Sequence, residues 1–130
     1  MAFIEKVKAL KVGDPNEEVN LGAIVSKNHF EKILGYIELA KQEGGTILTG
    51  GNAVQPNDRC KNGFFIEPTI IEGLPIDCRT NMEEIFGPVL PIVTWKEPEE
   101  AIAFIQARPT PLALYLYGKK RSLTRRFIDE

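Results

Sequence analysis

The chain has 130 residues, 43% of them apolar and 26% charged, and 16 basic against 18 acidic side chains leave a net charge of −2. That length suits one domain, and that much apolar surface argues against chain-wide disorder. A near-balanced charge gives no field for nucleic acid, the longest basic run being Lys119-Lys120-Arg121, and no stretch approaches the about 20 apolar residues of a membrane helix.

In chain order, Phe3, Ile4, Val7 and Leu10 predict one apolar helical stripe, ended by Gly13-Asp14-Pro15. After the short apolar run Gly22 to Val25, either Ser26 or Asn28 is placed to cap a second helix, Asn28 having Glu31 three residues on. Phe30, Ile33, Leu34 and Ile37 repeat at i, i+3, i+4 and i+7, and Gly44-Gly45 stops the helix. Thr46 to Thr49 reads as a strand, Gly50-Gly51-Asn52 as a turn, and the polar stretch 52–63 as a surface loop. Phe64-Phe65-Ile66 and Thr69-Ile70-Ile71 form an extended stretch that Pro68 interrupts or places at an edge.

Val89 to Trp95 is a further apolar run. Pro98-Glu99-Glu100 opens a helix with proline at its first position and acids at the positive end of the dipole, and Arg108-Pro109 closes it. Leu112 to Tyr117 is rich in β-formers and predicts a strand, and Ser122 starts a last helix through Leu123, Phe127 and Ile128. Helices alternating with short continuous apolar strands predict an α/β fold with a mostly parallel sheet flanked by helices. The first helix starts beside Met1 and the last runs to Glu130, so residues 1–130 are expected to be part of a domain truncated at both ends.

Glu5, Lys6 and Lys8 leave no signal-peptide core at the N-terminus, which makes a cytoplasmic location the default. Cys60 and Cys78 lie 18 residues apart without CxxC companions, and His29 is the one histidine, so Cys and His alone do not assemble a structural zinc site and no metal is expected. A disulfide between the two is open, with a pair of free thiols preferred.

The chemically informative segment is Met82-Glu83-Glu84-Ile85-Phe86-Gly87-Pro88-Val89. A carboxylate accepts hydrogen bonds from two sugar hydroxyls, and a flat ring lies against a heteroaromatic one. The same residues also fit a charged loop ahead of a buried strand, with Phe86 in the core. The string EEIFGPV resembles the cofactor-side signature of the aldehyde dehydrogenase superfamily. Leu34-Gly35-Tyr36-Ile37 followed by Gly50-Gly51, the strand Gly63 to Thr69, and Leu112 to Tyr117 resemble family segments in the same order. Residues 10–80 are most similar to the muconic semialdehyde dehydrogenases and residues 88–130 to the fatty and aromatic aldehyde branch, as a chimera or an intermediate branch would be.

The resemblance implies a catalytic-domain fragment of an enzyme that oxidises an aldehyde to a carboxylic acid with NAD or NADP, acting as a homo-oligomer. It implies that Glu84 binds the nicotinamide ribose and that Phe86 lies beside the nicotinamide. Lys32 matches a lysine that reaches the cofactor's sugar in several members, and His29 falls where many members carry a glutamine that touches a ribose. For these two the bottom-up alternatives are a solvated lysine and an exposed first-turn residue. The family's cysteine nucleophile and its general-base glutamate precede the segment matching Met1. Neither Cys60 nor Cys78 matches the nucleophile's motif, although Arg79 is placed to lower the thiol pKa of Cys78. No catalytic residue is therefore expected, and the isolated chain is expected to be inactive. Two other readings remain: a non-catalytic structural or interaction protein on the same scaffold, and a free-standing nicotinamide-binding module, which would lack a GxGxxG turn.

Overall fold

A computed structural model describes residues 2–56, 59–109 and 111–129. They divide into two compact units, Met1–Val93 and Thr94–Glu130.

The first unit opens with α1 (Ala2–Lys8), none of whose residues is fully buried. A carboxylate turn follows: Asp14 is buried, accepts the Asn16 amide at 2.9 Å and is gripped by the forked guanidinium of Arg59. These contacts, Arg59 foremost, hold the Asp14 carboxyl down to about 2. Helix α2 (Lys27–Gln42) is capped by Ser26, whose Oγ accepts the His29 amide at 3.2 Å. Ser26 has the extended backbone a cap requires, while Asn28 already lies within the first turn, which decides between the two candidates. Its apolar stripe buries Ile33 and Ile37, which join Ile66 and Ile85 in the core.

Five strands follow: β1 (Thr46–Thr49), β2 (Ala53–Val54), β3 (Phe65–Ile66), β4 (Thr69–Glu72), and, after the short helix α3 (Arg79–Met82), β5 (Val89–Ile92). Strands β1, β4 and β5 form one sheet in that order, and β2 pairs with β3 in a second. The α/β class stands, but the expectation of a mostly parallel sheet is corrected to a mixed one. β4 and β5 run parallel, with Thr69 opposite Val89, whereas β1 runs antiparallel to β4, with Ile47 opposite Ile71. An apolar strand buried among neighbours reads alike in either direction; the connections decide. Here the chain reverses at Gly50 and Gly51, both at positive φ, and a Cβ on Gly50 would lie 2.2 Å from the Pro68 carbonyl oxygen. Pro91, which has no N–H to give, lies in β5 at the edge of the described sheet. The loop expected at 52–63 contains β2, which pairs antiparallel through Ala53–Ile66 and Val54–Phe65. Polar turn formers on both sides of a two-residue strand hide it from pattern reading.

The second unit holds α4 (Pro98–Gln106) and α5 (Arg121–Asp129). Pro98 opens α4 as expected, Glu100 accepts the Lys96 amide at 3.2 Å, and Ile102 is buried. Arg126 reaches Glu99 at 2.7 Å, and the Trp95 and Phe127 rings meet at a tilt with a centroid distance of 6.4 Å. The strand expected at Leu112–Tyr117 is not formed: the run has no regular secondary structure and no ladder partner among the described residues, and Tyr117 is 93% exposed. β-forming side chains do not make a strand where no neighbour supplies the ladder. Among the described residues, no helix is long and apolar enough to cross a membrane.

Candidate functional site

His29, Lys32 and Tyr36 stand at i, i+3 and i+7 on α2 and share one face of it. That face meets residues 79–87, a segment that the buried side chain of Ile85 ties to Ile33 and Ile37. Burial of an isoleucine on this scale stabilises by about 1.5–3 kcal/mol. Glu84 and Phe86, on either side of Ile85, are exposed.

The backbone of this segment is held at two alternate carbonyls. Lys32 Nζ donates to the Glu84 carbonyl at 2.9 Å, and His29 Nε2 donates to the Phe86 carbonyl at 2.6 Å. The His29 and Phe86 rings meet edge to face at 5.9 Å. Phe86 is the one non-glycine residue with positive φ among those described, at 55°. A bulky residue in the left-handed region carries strain of about 1–2 kcal/mol. The fold enforces it through Ile85 on one side and Gly87 on the other, where a Cβ would lie 2.6 Å from Ile33 Cδ1. The result is a phenyl ring 75% exposed, which removes the alternative that Phe86 is a core residue.

The two adjacent acids differ sharply. Glu83 accepts Arg79 Nε at 2.7 Å and Arg79 Nη2 at 3.1 Å, and the Tyr36 hydroxyl donates to the same carboxylate. Arg79 first, then Tyr36, hold the Glu83 carboxyl down to about 2, and Glu83 in turn pushes the Tyr36 phenol up. Glu84 takes no hydrogen bond on its carboxylate from the described residues. Below this pair, Glu43 accepts the backbone amides of Arg79 at 2.9 Å and Thr80 at 3.2 Å and the Thr80 hydroxyl at 2.6 Å, which together lower its pKa, the Thr80 hydroxyl most.

The structure thus brings together all four residues singled out from the sequence. Lys32 and His29 use one donor each on the backbone that displays Glu84 and Phe86, so neither is simply a solvated surface residue. Tyr36, Arg79, Glu83 and Glu43 were not singled out. The spacing of Tyr36 from His29 and Lys32 on one helix face, and the Arg79–Glu83 pair at i, i+4, are signals that could have found three of them, whereas Glu43 left none.

Both cysteines are free thiols. Burial pushes the Cys78 thiol up rather than down, and the guanidinium expected to activate it is engaged by Glu83. No group of three or more His, Cys, Asp and Glu side chains among the described residues is placed to hold a metal ion.

The sequence matches the aldehyde dehydrogenase family over residues 1–130. It is 43% identical over 103 residues to a 2-aminomuconic 6-semialdehyde dehydrogenase of a Pseudomonas species, covering 78% of this chain and 21% of that protein. It is 46% identical over 101 residues to a peroxisomal aminoaldehyde dehydrogenase of Pisum sativum, covering 77% and 20%. The fold superposes on betaine aldehyde dehydrogenase of Staphylococcus aureus, a structure in complex with NAD+, with a TM-score of 0.88 at 33% identity, over 98% of this chain and 26% of that one. The chain therefore spans about a fifth of the length of the curated relatives it matches. With the family's signature segment presented on an α/β scaffold of the family's own fold, the chain belongs to the aldehyde dehydrogenase family.

Proposed function

We propose that this chain is part of the catalytic domain of an NAD(P)-dependent aldehyde dehydrogenase and presents Glu84 and Phe86 to the nicotinamide end of the cofactor. The observation that carries the reading is the division between the two acids: Glu83 is fully engaged, while Glu84 keeps a free carboxylate on an immobilised backbone beside an exposed ring. That pair fits the group. A carboxylate with four open lone-pair sites accepts both hydroxyls of a ribose, and a phenyl ring whose backbone is fixed offers a flat face to a heteroaromatic one. When bound, the cofactor supplies the hydride acceptor for the oxidation of an aldehyde to an acid. Lys32 and His29 act from behind, through the carbonyls of Glu84 and Phe86, and each retains capacity toward a sugar hydroxyl.

Among the described residues, neither cysteine is placed as the nucleophile. Burial pushes the Cys78 thiol up, and Cys60 engages the Asp14 carboxylate. The purified chain alone is therefore expected to make no NADH from aldehydes. Mixed with the upstream segment of a family member, it is expected to do so, and Glu84→Gln should weaken that activity about tenfold or more, the scale of a charge-assisted hydrogen bond. Activity of the chain alone would sink the reading.

A second reading, a non-catalytic interaction protein on the same scaffold, is favoured by the exposed apolar run Leu112 to Tyr117. A defined oligomer that shows no complementation would support it; a monodisperse monomer would count against it.

A further inference from the structure

We propose that Tyr36 and Arg79 are positioning residues that clamp Glu83 and so determine that Glu84 is the carboxylate offered to ligand; this rests on the nicotinamide reading above.

Two neighbouring glutamates in an irregular segment are chemically equivalent until something distinguishes them. Here the distinction is built from two elements far apart in sequence. Tyr36 comes from the middle of α2, Arg79 from the start of α3, and they converge on one carboxylate from two directions. The guanidinium presents its fork along the carboxylate edge, and the phenol closes the same group from the α2 side. Three donors leave Glu83 little capacity for a ligand.

The clamp also sets the backbone. With the side chain of Glu83 tied and that of Ile85 in the core, the side chain of Glu84 between them is directed outward, and Lys32 fixes its carbonyl. Glu43, one residue past the end of α2, holds the amides of Arg79 and Thr80 and so seats the base of the clamp. Helix α2 therefore contributes four contacts, from His29, Lys32, Tyr36 and the flanking Glu43, to a single nine-residue segment. Loss of Tyr36 or Arg79 leaves a carboxylate that competes with Glu84 and a looser backbone beneath both acids.

The test uses the 130-residue chain with isotope labelling, in wild type and in Tyr36→Phe, Arg79→Gln, Arg79→Lys and Glu83→Gln. Tyr36→Phe keeps the ring, so the core contacts of α2 are preserved. Without ligand, backbone relaxation of Glu84, Phe86 and Gly87 should show greater mobility in Tyr36→Phe and Arg79→Gln than in wild type. The Tyr36 phenol should titrate above the ordinary value of about 10 in wild type and fall back toward it in Glu83→Gln. With NAD+ and the upstream segment of a family member, the Glu84–Gly87 amides should shift, and the Kd should weaken about tenfold in Tyr36→Phe and in Arg79→Gln, with partial recovery in Arg79→Lys. In a double-mutant cycle, Tyr36→Phe on top of Glu83→Gln should add little, because both remove the same contact. Unchanged mobility of 84–87 in Tyr36→Phe and Arg79→Gln, or an unmoved Tyr36 titration in Glu83→Gln, overturns the clamp. Loosened variants around a wild type whose amides ignore NAD+ even in that mixture support the clamp and overturn the nicotinamide reading, so the two failures are distinguishable.

Discussion

Residues 79–87 and residues 112–117 make opposite use of their sequences. The first segment has little regular structure beyond the single turn of α3, yet much of its conformation is fixed from outside: Glu43 at its base, Tyr36 on Glu83, Lys32 and His29 on two carbonyls, Ile33 and Ile37 around Ile85. The second segment is composed almost wholly of apolar and β-forming residues, and none of the described residues pairs with its backbone. Intrinsic preference is strong in one and weak in the other, but conformation follows the number of satisfied tertiary partners. A strand is a property of a pair, because half of its hydrogen bonds belong to a neighbour; a loop tied by side chains and one buried isoleucine needs no ladder.

This contrast breaks most visibly at the core anchor. Ile85→Ala should destabilise the first unit by about 2–5 kcal/mol, as large-to-small core substitutions do, and should release Glu84 and Phe86 together. Urea unfolding gives the first effect and NAD+-induced amide shifts the second. Next in size is Gly87→Ala: a Cβ placed 2.6 Å from Ile33 Cδ1 forces the core or the loop to move, at about 1–3 kcal/mol, and the His29–Phe86 contact should be lost from the NMR spectrum. Ser26→Ala removes the cap of the helix that supplies the clamp and should cost about 1 kcal/mol in the same unfolding assay.

Smaller is the acid response of the clamp. The Glu83 carboxyl is depressed to about 2 from an ordinary value near 4.5, so its contribution is present above about 4.5 and is lost as pH falls toward 2. The urea midpoint should therefore drop across that window, and less so in Glu83→Gln, with solvent screening keeping the difference modest. An equal drop in both proteins would show that Glu83 is not clamped. At the far end of the scale, Leu112→Ser in the unpaired run should shift stability by less than about 0.5 kcal/mol, since Leu112 is fully exposed. A clear loss of stability there would mean that the run is partnered after all.

Much of the architecture was legible from the chain. The 3.6-residue stripe on α2, the strand cores Thr46–Thr49 and Thr69–Ile71, the glycine turn after β1 and the proline-led start of α4 all lie where local pattern places them. These are features in which a residue and its near neighbours carry the whole signal. The residues of the candidate site were also legible, through the EEIFGPV string, and His29, Lys32, Glu84 and Phe86 do converge on one place. The direction of β1 was not, since burial imposes the same apolar run on parallel and antiparallel strands. Nor was the choice of Ser26 over Asn28, which depends on which residue reaches the extended backbone first.

The sequence by itself determined where most helices and apolar strands form and which short segment resembles the family's signature, because periodicity, caps and turn residues act over a few positions. Only the tertiary structure decided which of two adjacent glutamates stays free. That choice depends on Tyr36 arriving from 47 residues away in sequence and on a core isoleucine, between the acids and the exposed ring, that packs against α2. Contacts of that separation are set by packing, and packing has no period to read.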